Sequence, residues 1–274
     1  MPNSSRLRAL ALCTLTLLFA RPLAAQSPAA RPAAPISDNS FLVEEAYNQE
    51  TGVVQHILNY RRDRAGDWLA TFTQEWPAPS QRDQLSYTLP LQSAAGGGSR
   101  LGDVIVNYRR QVLGADDDPI WFSPRLSVIV PTGSVSNGTG AGGPGVQVNL
   151  PLSVRVTEQL VTHWNAGGTL TRARTDAGVR SNTRSVNAAA SAIWLLSTNF
   201  NVMLESAWDR SESLDGDGRR VAANNFVLLP GVRAAINLSS GMQIVPGLGM
   251  PIGLGPSRGE RELFVYLSVE HAFR

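Results

Sequence analysis

His163 is the side chain with the widest chemical range in this 274-residue sequence. Beside a hydroxyl and an amide, an imidazole becomes the general base of a lipase-type site. Such a site needs a serine at a short, fixed offset, and His163 is followed by Trp164-Asn165-Ala166-Gly167, which offers none. A hydrogen bond to a neighbouring polar group is the expected role. His56 and His271 are too isolated in the sequence to argue for a metal centre, and no cysteine joins them. Asp116-Asp117-Asp118 lacks the spaced ligands and closing glutamate of a calcium loop and reads as a solvated acidic turn, as does Asp215-Gly216-Asp217-Gly218. The glycines between Gly133 and Gly145 do not make a phosphate cradle, because a cradle opens into a helix and strand-like sequence flanks these on both sides. No catalytic residue, cofactor or metal is expected.

What remains is a distributed set of polar side chains, placed by one pattern. In Val146-Gln147-Val148-Asn149-Leu150-Pro151-Leu152-Ser153-Val154-Arg155-Val156 every even residue is aliphatic, and the odd ones are Gln, Asn, Pro, Ser and Arg. Period two sends the two sets to opposite faces of a strand. One apolar and one wet face is the pattern of a transmembrane barrel strand. Similar stretches occur at 53–61, 68–76, 84–91, 103–112, 121–130, 160–171, 186–196, 200–209, 224–238, 242–252 and 263–273. Most have the nine to eleven residues that a tilted strand needs to cross a membrane. The expected fold is all-β: an antiparallel transmembrane β-barrel of about twelve strands. After residue 25 no apolar run approaches the length of a spanning helix, and a slightly negative mean hydropathy suits strands that are half polar.

Arg6 and Arg8, the apolar run from Ala9 to Phe19, and Leu23-Ala24-Ala25 together read as a cleaved signal peptide over 1–25. Cys13, the one cysteine, lies inside it, and Leu12 before it argues against lipidation. The mature chain then has neither disulfide nor thiol chemistry. Its formal charge falls from +2 to −1 as Arg6, Arg8 and Arg21 leave, so no nucleic-acid partner is indicated. Every basic residue is arginine, which reads as compositional bias before it reads as a device for lipopolysaccharide phosphates. Residues 26–50 are expected to form a flexible periplasmic leader or short plug, with 41–50 a short helix or an inward segment, and 51–274 the barrel.

The connections sort by length. Candidate external loops at 132–145, 172–185, 211–223 and 253–262 alternate with turns of about three residues at 157–159, 197–199 and 239–241. Alternating long and short connections place both termini at the periplasmic end of a barrel. Trp68, Phe72 and Trp76 share one face of a strand, and Trp164, Trp194, Phe200 and Trp208 lie near expected membrane boundaries. Leu263, Val265, Leu267, Val269 and Phe273 alternate towards the end, similar to the last-strand signal read by barrel assembly machinery, although Arg274 follows the Phe.

If the apolar sets face lipid, the lumen receives Gln55, Glu75, Asn107, Arg109, Gln147, Asn149, Arg155, His163, Asn165, Asn187, Asn201 and Glu205. Of these, Glu75, Arg109, Arg155, His163, Asn165 and Glu205 are the candidate lining residues. Such groups either wet a pore or pair across it and fill it. Glu44-Glu45-Ala46-Tyr47-Asn48-Gln49-Glu50 with Gly52-Val53-Val54-Gln55-His56, then Gly102-Asp103-Val104 with Asn107-Tyr108-Arg109, and Pro124-Arg125-Leu126-Ser127 with Pro131-Thr132-Gly133 are similar in order and spacing to motifs of the outer-membrane transporter family named for the meta-pathway of phenol degradation. The resemblance covers most of the mature chain. It implies a barrel for uptake or efflux of small, aromatic or hydrophobic solutes, with no catalytic residues. The expectation is a passive channel whose partners are outer-membrane lipids and lipopolysaccharide, the assembly machinery and a small solute. A non-conducting structural or surface-interaction barrel is the alternative, and an outer-membrane lipid hydrolase the least favoured.

Overall fold

The computed structural model describes residues 40–94, 97–115 and 118–273. The signal peptide at 1–25, the leader up to 39, Cys13, Asp116, Asp117 and Arg274 lie outside the described residues. Seventeen hydrogen-bonded segments join into twelve antiparallel strands. They are β1 (Val53–Asp63), β2 (Trp68–Pro77), β3 (Asp83–Ser93), β4 (Ser99–Leu101 and Val104–Arg110), β5 (Ile120–Phe122 and Arg125–Val130) and β6 (Gly145–Asn149 and Leu152–Arg155). The second half holds β7 (Leu160–Arg174), β8 (Arg180–Ser197), β9 (Phe200–Leu214), β10 (Arg220–Ala234 and Ile236–Asn237), β11 (Gln243–Gly249 and Ile252–Gly253) and β12 (Glu262–Ala272). Three of the breaks fall beside Pro124, Pro151 and Pro251, which have no amide to give to a ladder.

Each strand pairs with its sequence neighbours, and β1 also pairs with β12 from Val53↔Ala272 to Asp63↔Glu262. The sheet therefore shuts on itself and leaves no open edge, as hydrocarbon requires of a strand structure. Burial follows the expected parity. On β6, Val146 is 50% exposed and Asn149 only 6%. Leu126, Val128, Trp164, Leu170, Val186, Leu204 and Leu248 continue the exposed apolar band around the outside. That band places the barrel in a membrane, and closed antiparallel barrels of this kind belong to the bacterial outer membrane.

Two connections differ from the sequence expectation. The regions 172–185 and 211–223 read as loops, yet β7 and β8 run on to Arg174 and Arg180, and β9 and β10 to Leu214 and Arg220. Above the membrane no hydrocarbon sorts the faces of these hairpins: Thr175 and Thr183 are buried on the inner side, exposed arginines stand on the outer, and no apolar period-two signal is left. The lumen also differs, because it is not polar all round. Ile193, Met203, Leu229, Val245, Phe264 and Tyr266 turn inward from β8 to β12 and form an apolar cluster. Runs such as Ala192-Ile193-Trp194-Leu195-Leu196 are apolar on both faces, which conceals an inward patch from any alternation test.

The orientation has a direct test. Val148→Arg, on the outward face of β6, is expected to lower stability by about 2–4 kcal/mol in urea unfolding from lipid vesicles, because it puts a charge into hydrocarbon. Asn137→Arg in the β5–β6 loop should change it by less than about 0.5 kcal/mol.

Candidate functional site

The segment from Ser40 to Glu50 lies inside the ring and contains no helical turn. Extended chain has unpaired amides and carbonyls, and inside a barrel these must find partners. Side chains on the inward face supply them. Phe41 N and Leu42 N each donate to one oxygen of Glu205 at 2.7 Å. Asn165 clamps Glu44 from both sides, accepting its amide at 2.8 Å and donating to its carbonyl at 2.7 Å. Ala46 N donates to Ser153 Oγ at 2.8 Å, and Gln49 N to Gln84 Oε1 at 2.8 Å. Ser123 Oγ donates to Ala46 O. The segment thus binds wall side chains, climbing from the end with the short turns at β1 and β3 towards Ser191 and Glu205 on β8 and β9.

Charge concentrates at one point along it. Arg109 is fully buried and spans the plug, donating to Asn48 Oδ1 at 3.0 Å, Glu45 O at 2.9 Å, Glu44 Oε1 at 3.2 Å and the Tyr47 carbonyl. Arg125 Nε reaches Glu44 Oε2 at 2.8 Å, where Asn149 Nδ2 also donates at 2.7 Å. A half-buried carboxylate held by two guanidiniums and an amide has its desolvation offset; stripped of one partner, it does not.

The apolar cluster holds the other end. Phe41 stacks on Phe264 with ring centroids 5.1 Å apart and tilts against Tyr266 at 5.2 Å. The adjoining wall on β10 and β11 is thinned by glycine: a Cβ on Gly231 would lie 2.5 Å from the Phe41 ring and one on Gly247, which pairs with Tyr266, 2.7 Å. These glycines make room for Phe41, since neither adopts the left-handed backbone that would otherwise call for glycine. Tyr47 packs edge-on against Trp121 at 4.8 Å, and Arg155 lies over the same indole at 5.0 Å.

The six candidate lining residues separate. Arg109, Asn165 and Glu205 bind the segment directly. His163 reaches it through Ser153 and a ring contact with Tyr47 at 5.9 Å. Glu75 stands one residue removed, accepting from Gln84 Nε2 at 2.7 Å. Arg155 is exposed near the β6–β7 turn, its guanidinium over the indole that Tyr47 abuts. Arg125, Ser123, Ser153 and Gln84 were not among the candidates. A parity count would have found Arg125, because Trp121, Ser123, Arg125 and Ser127 share the odd face of β5 while Leu126, Val128 and Val130 share the other.

Strand register supplies two histidine partners that sequence offset does not show. Register sets Ser153 directly across from His163, with Oγ 2.7 Å from Nδ1, so strand pairing provides the serine that the local sequence does not. Both side chains are wholly buried, and the serine oxygen already accepts the Ala46 amide. The β1–β12 closure likewise brings His56 Nε2 to 3.1 Å from His271 Nε2. Among the described residues no three His, Cys, Asp or Glu side chains are grouped to hold a metal ion.

Comparison with known proteins supports the architecture. No family model and no curated protein matches the sequence. Among solved structures, the COG4313 outer membrane channel from Pseudomonas putida F1 is similar with a TM-score of 0.61 at 11% identity, over 82% of this chain and 98% of that one. The KdgM porin in complex with disordered oligogalacturonate matches at 0.49 and 9% identity, over 80% and 99%. The NanC porin matches at 0.48 and 9%, over 81% and 99%. At these identities the likeness is one of fold.

The Phe41 seat is testable by a double-mutant cycle. Gly247→Val is expected to cost about 1–3 kcal/mol by crowding the ring. In a Phe41→Ala background the same change should cost clearly less, measured as coupling in denaturant unfolding.

Proposed function

We propose that this chain is an outer-membrane channel for passive passage of small solutes, gated by its own Ser40–Glu50 segment. One observation carries the reading: the segment lies in the lumen yet joins no strand ladder, and it is held by side chains of the wall. It can leave without breaking a backbone pair of the barrel, and the polar groups it vacates would then face water. Neither cofactor nor energy coupling is needed. The seat of Phe41 between Phe264 and Tyr266 supports aromatic or hydrophobic solutes, since it already accommodates a benzyl group. That solute class agrees with membership of the meta-pathway transporter family, to which the motifs at Glu44–Glu50, Gly102–Arg109 and Pro124–Ser127 point. We assign no enzymatic role, because the Ser153 and His163 pair is sealed beneath the plug and its serine is engaged. Insertion would use the assembly machinery, with β12 and Phe273 as the signal.

A structural, non-conducting barrel is the second reading, favoured by how completely the plug amides are satisfied. Planar-bilayer recording separates the two. The mature protein is expected to show low or intermittent conductance, and a variant lacking residues up to 48 a steady current. Silence from a folded plug-deleted barrel would leave the structural reading.

A further inference from the structure

The outer surface changes character at one level on three successive strands. Outward positions pass from Leu170 to Arg172 and Arg174 on β7, from Val186 to Arg184 and Arg180 on β8, and from Trp208 to Arg210 on β9. All five arginines are exposed. Register places Arg174 opposite Arg180, Leu170 opposite Arg184 and Val186 opposite Arg210. Directly opposed side chains start about 5 Å apart and successive outward positions about 7 Å apart, so Arg174 and Arg180 are direct neighbours and the five guanidiniums follow one strip about 20 Å long. Like charges set across a ladder repel. Among the described residues none of the five forms a salt bridge; the nearby Glu212 carboxylate accepts the backbone amide of Arg184 at 3.1 Å.

A cluster of this kind is stable when an anion completes it, and its position specifies which anion. It sits immediately above the apolar band, on the hairpins remote from the short turns and from the end at which the plug joins β1. This is the headgroup level of the outer leaflet. The planar guanidinium matches phosphate oxygens two at a time, and five in one patch exceed what a single phosphate needs. We propose that Arg172, Arg174, Arg180, Arg184 and Arg210 form a binding site for the phosphate groups of lipopolysaccharide. The site depends on the barrel spanning the membrane and is independent of whether it conducts.

The test uses the full mature chain in detergent, titrated with bis-phosphorylated lipid A and with the same lipid stripped of phosphate, and followed by native mass spectrometry. A saturable adduct with the phosphorylated lipid is expected, weakening as salt rises. Replacing all five arginines by glutamine should reduce affinity at least about tenfold, the loss of several charge-assisted contacts. The pair Arg172→Gln and Arg210→Gln should give an intermediate loss and serves if the fivefold variant fails to fold. Equal binding of the dephosphorylated lipid, unchanged affinity in either folded variant, or equally tight binding of inorganic phosphate alone would overturn the proposal.

Discussion

Glu44 between Arg109 and Arg125 is the interaction on which the arrangement of the lumen depends. Three charges taken out of bulk water are tolerable only together, and they come from three places: the plug, β4 and β5. Without the plug, two guanidiniums from neighbouring strands would face each other across a few ångströms. Without the arginines, a carboxylate would be stranded inside the ring. The plug is thus a counter-charge as well as an obstruction, and its lodging is coupled to the electrostatics of the wall. The amides of Phe41 and Leu42 on Glu205 repeat the logic at the other end, where a wall carboxylate meets backbone donors.

Much of the fold was legible because hydrocarbon enforces it on every strand. Alternation gave the twelve strands, their outward faces and the sorting of short turns, since each outward residue answers to the same solvent. Legibility failed where that constraint lapses. Beyond the hydrocarbon the long hairpins are no longer sorted into an apolar and a polar face, and the extra strand length around Arg174, Arg180 and Leu214 left no period to read. On the inner side of β8 to β12, apolar residues answer to Phe41, which lies over 150 positions away in the chain.

The functional residues were legible in proportion to their dependence on parity alone. Arg109, His163, Asn165 and Glu205 stand on inward positions that parity alone picks out. Their partners are set by register and by the path of the plug, which no local window contains. The Ser153 and His163 contact shows the difference: ten positions separate them in sequence, and strand pairing makes them neighbours. In a β-structure, chemistry assembles across ladders, so a motif search along one strand is blind to it.

Only Thr51 and Gly52 separate the plug from β1, and Gly52 holds a left-handed backbone with open space where a side chain would be. The segment is therefore a lever with its pivot fixed at the rim. Its eleven described residues from Ser40 to Glu50, extended, reach about 35–40 Å at most. Between Gln49 and Ser40 displacement grows with distance from the pivot, so the release proposed above would free the Phe41 contacts before the arginine pair, while the tether stays at the mouth.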